Sequence, residues 1–148
     1  IARKKADAYK VLFSSVNSNE VEEPLLVITA DTIVWLEDEV LGKPANATEA
    51  RVMLSKLSGK KHQVITGVCL TTALWQKSFA AVSEVQFSSL TEEEVDYYIQ
   101  NYCPYDKAGA YGVQEWIGFI GVESIQGSYF NVMGLPIQRL YRELKTIK

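Results

Sequence analysis

Apolar residues in this chain recur with two different periods, and the switches between them outline the elements. Over residues 1–13, Ala2, Ala6, Tyr9 and Phe13 fall on one side of a 3.6-residue repeat, which predicts an opening helix. Ser14 to Pro24 is polar and acidic and reads as a connecting loop. The run Leu25-Leu26-Val27-Ile28-Thr29-Ala30 is dense in aliphatic and β-branched residues and predicts a buried strand over 25–36. The acidic tip Glu37-Asp38-Glu39 predicts a hairpin turn that returns through Val40 and Leu41 to Gly42-Lys43-Pro44. Helical spacing then resumes. Asn46 caps it, Glu49 stands at the capping-box position, Ala50, Met53, Leu54 and Leu57 form the apolar face, and Gly59 ends it.

Alternation returns in two long strands, about 62–72 and 76–88. In the second, Phe79, Ala81, Val85 and Phe87 share a face that Ser83 interrupts. Thr91 and Glu94 open a further helix as a capping box, with Val95, Tyr98, Ile99 and Tyr102 facing inward and Pro104 stopping it. A loop from Asp106 to Gln114 precedes an apolar stretch near 116–125, read as a strand. The segment from Gln126 to Gly134 reads as a glycine-containing loop, too apolar for pure exposure and folded back over a cleft. Pro136 starts a closing helix that buries Leu140, Leu144 and Ile147. The order α-β-β-α-β-β-α-β-α does not alternate strictly. It predicts an α/β protein with a mixed β-sheet and helices, not a doubly wound parallel sheet.

Composition narrows the function. The 148 residues suit a single domain, and 47% hydrophobic with 22% charged content is ordinary for a globular protein. No stretch approaches the roughly 18 apolar residues of a membrane helix, and no secretory signal is visible. A net charge of −3 argues against a nucleic acid polymer as partner but leaves room for a small phosphate ligand. Cys69 and Cys103 match no zinc or redox spacing, so a reduced, cytoplasmic setting is expected. The lone His62 could be catalytic, but it lies in an alternating strand pattern and reads as an ordinary structural or surface residue. Ile1 is no natural initiator, so the expectation is that the true N-terminus lies upstream.

The chemistry centres on Asp31, an acid that follows the apolar strand run and precedes Thr32. A charge is costly beside a buried strand unless it is partnered or used. As a structural residue Asp31 would bond loop amides; as a functional one it would hold a divalent cation or accept a proton from water. Thr32 supplies a hydroxyl beside it. Lys43 is fixed between Gly42 and Pro44, and Lys107 lies in Asp-Lys-Ala-Gly-Ala-Tyr-Gly, where glycines admit close approach of a ligand. That segment is no Walker loop. Gln114 offers a donor and an acceptor together, as a base edge demands, although Gln86, Gln100 and Gln126 do too. Tyr111, Trp116 and Tyr129 are candidates to stack on a base or simply to pack.

Taken together, Ala30-Asp31-Thr32, Gly42-Lys43-Pro44, Leu57-Ser58-Gly59 with His62-Gln63-Val64 and Thr66-Gly67, Asp106-Lys107-Ala108-Gly109-Ala110-Tyr111-Gly112, and Gly127-Ser128-Tyr129 with Gly134-Leu135-Pro136 resemble the Maf family of nucleoside triphosphate pyrophosphatases. The resemblance implies a fold similar to the inosine-triphosphate pyrophosphatases, a twisted mixed sheet with helices in two lobes around a cleft. It implies cleavage between the α- and β-phosphates with Mg²⁺ or Mn²⁺, and a homodimer. On that pattern Asp31 corresponds to the proton acceptor and metal ligand, and Lys5, Lys43 and Lys107 to phosphate-facing lysines. Asp106 belongs to the same segment, while Thr32 and Gln114 match positions associated with base selection. Glutamine after Tyr-Gly-Val resembles the branch acting on dTTP and UTP, rather than the one acting on 7-methyl-GTP, and its amide can donate to O4 and accept from N3–H of thymine or uracil.

The family's N-terminal strand, its Ser-x-Ser-Pro-Arg-Arg loop and a downstream acidic residue do not occur in this chain, and a truncated sequence or a disordered segment is the expectation. Trp35 and Glu115 read as local variations that touch none of the core motifs. The mechanism these residues imply is in-line attack of water on the α-phosphorus, with Asp31 activating the water. The rival class is a non-catalytic nucleotide-binding regulator of septum formation.

Overall fold

The computed structural model describes residues 1–10 and 24–147. Two elements follow the expected caps closely. α2 (Ala47–Leu57) starts at Asn46, whose side chain accepts from Glu49 N, while the Glu49 carboxylate accepts from Ala45 N one residue further back than a regular box. α3 (Glu92–Tyr102) has the full reciprocal box between Thr91 and Glu94. The opening helix is described as α1 (Ala2–Ala8), burying Ala2 and Ala6 but leaving Tyr9 half exposed; Phe13 and the expected loop up to residue 23 lie outside the described residues.

The strands are β1 (Val27–Leu36), β2 (Glu39–Leu41), β3 (Lys61–Thr71), β4 (Gln76–Phe87) and β5 (Val122–Gln126). They form one sheet in the order β2-β1-β3-β4-β5. The α/β class holds, but among the described residues every strand pairing is antiparallel, because successive strands are joined by hairpins or return connections. β1 pairs with β3 from Val27 to Trp35, yet with β2 only from Val34 to Leu36. The other edge of β1, from residue 27 to 33, has no strand beside it among the described residues. Only Thr29, Val34 and Leu36 of β1 are buried, so the strand is far less enclosed than its composition predicts.

The apolar stretch near 116–125 divides. Trp116–Gly121 is helical (α4), and only Val122–Gln126 is strand. At Gly118 the helix comes so close to the preceding turn that a Cβ would overlap the Val113 carbonyl, leaving the chain room to coil there only with glycine. The expected loop after Gln126 contains a one-turn helix, α5 (Tyr129–Met133), whose N-cap Ser128 accepts from Asn131 N. α6 (Ile137–Lys145) follows Pro136 as expected, but of the three residues expected inside only Leu140 is buried, while Leu144 and Ile147, the latter beyond the helix, are partly buried.

Helices cover one sheet face in two separate places. At one end α2, α3 and α4 bury Leu54, Leu57, Tyr98 and Ile117 against Val34, Val64, Val85 and Phe87. At the other, Leu140 of α6 packs on Val68, Leu70 and Phe79, and Lys77 pairs with Glu143 at 2.6 Å. Between them stands Asn131, fully buried. Its amide donates to Val64 O, Ala81 O and Ser83 Oγ, at 3.2, 3.2 and 3.0 Å. Ser83 is therefore a buried member of its strand face, not a break in it. Asn131→Ala removes these donors and strands their partners, and is expected to cost roughly 2–4 kcal/mol of unfolding free energy in urea melts.

Candidate functional site

Three turns and one strand converge where β2 stops shielding β1. Asp31 lies in the middle of β1, not at a strand end, since the chain continues straight through Thr32 to Leu36 before the Glu37–Asp38 turn. Two things still expose it: the open outer edge of β1, and small neighbours, for its register partner across the sheet is Gly67. Its Oδ1 receives Lys5 Nζ from α1 at 2.9 Å, and the same ammonium donates to Ala30 O at 3.1 Å.

Lys43 and Lys107 come from distant turns that are stitched together. Gly109 N donates to Gly42 O at 3.0 Å. Gly109 sits at φ +69°, and a Cβ there would meet Val34 Cγ2 at 2.9 Å, so both conformation and clearance demand glycine. This seam holds the hairpin return carrying Lys43 against the Ala108–Ala110 turn that follows Lys107. Lys107 Nζ meets Asp106 Oδ1 at 3.1 Å and Glu115 Oε1 at 3.2 Å. The Lys107 hydrogen bond is the chief cause holding the Asp106 carboxyl below its usual range, and Lys43 adds a smaller Coulombic pull.

All seven residues singled out in the sequence, Lys5, Asp31, Thr32, Lys43, Asp106, Lys107 and Gln114, border one cleft of about 230 Å³. Val132, Met133 and Gly134 form its other wall, as expected of a segment folded back over a cleft. Of the three aromatic candidates only Tyr111 reaches it; Trp116 packs edge-on against Tyr97 and Tyr129 against Phe130. Glu115 is not the remote variation it seemed in the sequence, because its carboxylate grips Lys107. Nothing in its local spacing announces that contact.

Two hydroxyls run from the cleft into the core. Thr32 Oγ1 is 2.9 Å from Thr66 Oγ1 and donates to Gly134 O at 3.4 Å, while Thr66 donates to Asn131 O at 3.3 Å. Below the Lys107 loop, Tyr111 OH is bonded to His62 Nε2 at 2.6 Å, and both rings pack edge-on with Phe87. His62 is structural, as the sequence suggested, but it is buried and its Nδ1 has no partner. Among the described residues no group of three His, Cys, Asp or Glu side chains is arranged to hold a metal, and no helix is long and apolar enough to cross a membrane.

Burial pushes the His62 pKa down to about 4. The unfolded chain takes up this proton near pH 6.5, so the contribution is complete above that value and is lost as pH falls toward 4. In wild type this amounts to about 3 kcal/mol of stability, whereas His62→Gln flattens the difference; denaturant melts between pH 4 and 7 measure it.

The family model described as Maf-like protein matches residues 1–147. The chain is 63% identical over 147 residues to the dTTP/UTP pyrophosphatase of Bacteroides fragilis, covering 99% of this chain and 72% of that protein. The same figures hold for the dTTP/UTP pyrophosphatase of Phocaeicola vulgatus. Identity to the enzyme of that name from Porphyromonas gingivalis is 48% over 145 residues, 98% of this chain and 70% of the relative.

Proposed function

We propose that the chain, which belongs to the Maf family, is a nucleoside triphosphate pyrophosphatase that hydrolyses dTTP and UTP to the monophosphate and pyrophosphate. The observation that carries this reading is the meeting of one strand carboxylate and three lysines from separate elements at a single cleft. Modified pyrimidine triphosphates fit the same description, and the setting is cytoplasmic, where such nucleotides circulate.

Asp31 orients the attacking water and takes its proton, with Lys5 fixing the carboxylate. Lys43 and Lys107 steady the charge that develops on the departing pyrophosphate. Asp106, with its side chain 77% exposed, swings aside when phosphate oxygens replace it on Lys107. Among the described residues no three acids or histidines are gathered around a metal, so a magnesium or manganese ion would be held by Asp31 together with the substrate's phosphates. When bound, that ion offsets polyphosphate charge and makes the α-phosphorus more electrophilic.

Thr32 and Gln114 read the base. The protons of Thr32 and Thr66 both have acceptors inside the protein, in the opposite hydroxyl and the carbonyls of Asn131 and Gly134. What Thr32 offers an incoming base is therefore a lone pair. Thymine and uracil bring one N3–H donor, shared between this lone pair and the Gln114 amide oxygen; cytosine brings an unprotonated N3 and loses the bond. Relatives named for dTTP and UTP, more than 60% identical over nearly all of this chain, support that preference.

The test is a panel of ordinary and modified nucleoside triphosphates, assayed with Mg²⁺ or Mn²⁺ on protein expressed from its complete reading frame. Asp31→Asn should lose roughly 10²–10⁴-fold in turnover while its melting curve is unchanged. Pyrophosphate release by that variant at the wild-type rate would falsify the assignment, and nucleotide binding without any product would turn the reading to a sensor. Thr32→Val removes that lone pair while keeping the side chain's shape, and should lower the UTP-over-CTP ratio of kcat/KM by roughly tenfold.

A further inference from the structure

Glu115 occupies the N-cap position of α4 but does not cap it. Its Oε1 instead lies 3.2 Å from Lys107 Nζ, and only 18% of the side chain is exposed. The same oxygen accepts from Tyr98 OH at 3.3 Å, and Tyr98 OH accepts from Gly112 N at 3.0 Å. Tyr98 is fully buried on α3. One continuous series of contacts thus leads from a rigid helix to a single ammonium. Gly112 makes the room: a Cβ there would stand 2.5 Å from Glu115 Oε1 and 2.8 Å from Lys107 Cε. Its glycine serves clearance, not backbone freedom.

We infer that Glu115, set by Tyr98 and Gly112, is a positioning residue that fixes the aim of the Lys107 ammonium into the cleft. The inference rests on the phosphate-facing role proposed above for Lys107. A lysine has a long flexible stem, and ordering it during the reaction costs entropy that an already ordered side chain does not lose. The two acids on Lys107 differ in kind. Asp106 is out in solvent and exchangeable, whereas Glu115 is enclosed and tied to the core, so it stays when phosphate arrives. Partial burial lowers the Lys107 pKa, but the hydrogen bonds to Asp106 and Glu115 outweigh it and hold the amine above the ordinary lysine range.

The experiment compares Glu115→Gln, Tyr98→Phe, Lys107→Met and the Glu115→Gln/Lys107→Met double variant in dTTP hydrolysis. Glu115→Gln keeps an acceptor for Tyr98 but loses the charge. It should lower kcat by roughly ten- to a hundredfold with KM nearly constant, and Tyr98→Phe should act in the same direction but less. In the Lys107→Met background Glu115→Gln should cost nothing further. An equal cost in both backgrounds, or a change confined to KM, overturns the inference. Should the wild-type protein turn over no nucleotide, the proposed function fails on its own. The inference is then decided by the Lys107 ammonium resonance in nuclear magnetic resonance spectra, assigned by its loss in Lys107→Met. A shift in Glu115→Gln supports the positioning role, and an unmoved resonance sinks it.

Discussion

A sheet longer than the helices that cover it governs this molecule. β3 has 11 residues, about 36 Å at 3.3 Å each, while α2 with 11 residues spans only about 16 Å. One helical layer therefore cannot enclose the face, and the protein uses two, with apolar clusters at opposite ends of the same strands. The seam between them must be closed by something other than a large hydrophobe. Asn131 closes it by bonding two strand carbonyls and Ser83, and the seam surfaces at Thr66 and Thr32. The cleft opens there, at the side of β1 that β2 leaves free.

That geometry explains which features the sequence disclosed. Elements with a local cause were legible: the Glu37–Asp38 turn, the Asn46 and Thr91 caps, and the alternation of β3 and β4 all depend on neighbours in the chain. Trp116–Gly121 misled because Trp, Ile and Phe favour strands, and six residues are too few for a helical period to declare itself. Tyr129–Met133 is shorter still, and its one signal was Ser128 three residues before Asn131. Ser83 looked like a defect in its strand face because its partner, Asn131, is 48 residues away.

The site divides in the same way. Asp31 and the lysine-bearing turns stood out by residue type and setting, and resemblance to a family assigned them roles that spacing alone left open. Glu115 and Tyr98 did not stand out. A carboxylate that acts on a lysine eight positions earlier, across a loop held by one glycine contact, leaves no periodic trace. Long-range polar contacts of this kind are set by tertiary structure, and a single sequence carries little sign of them.

An acidic protein that gathers lysines at one cleft faces a conflict, and the ion pairs there show how it is met. Lys5 rests on Asp31, and Lys107 on Asp106 and Glu115. Unpaired, these cations would repel one another across the cleft and be ordered only by solvent. Paired, they are held in place and the cleft carries little net charge. Under the proposed function, the cost is that phosphate must displace a carboxylate before it gains a lysine. Exposure decides which one yields: water screens and readily replaces an exposed pair, whereas an enclosed pair anchored by a further hydrogen bond is hard to separate. Asp106 is of the first kind and Glu115 of the second, so a single lysine has one partner to give up and one to keep.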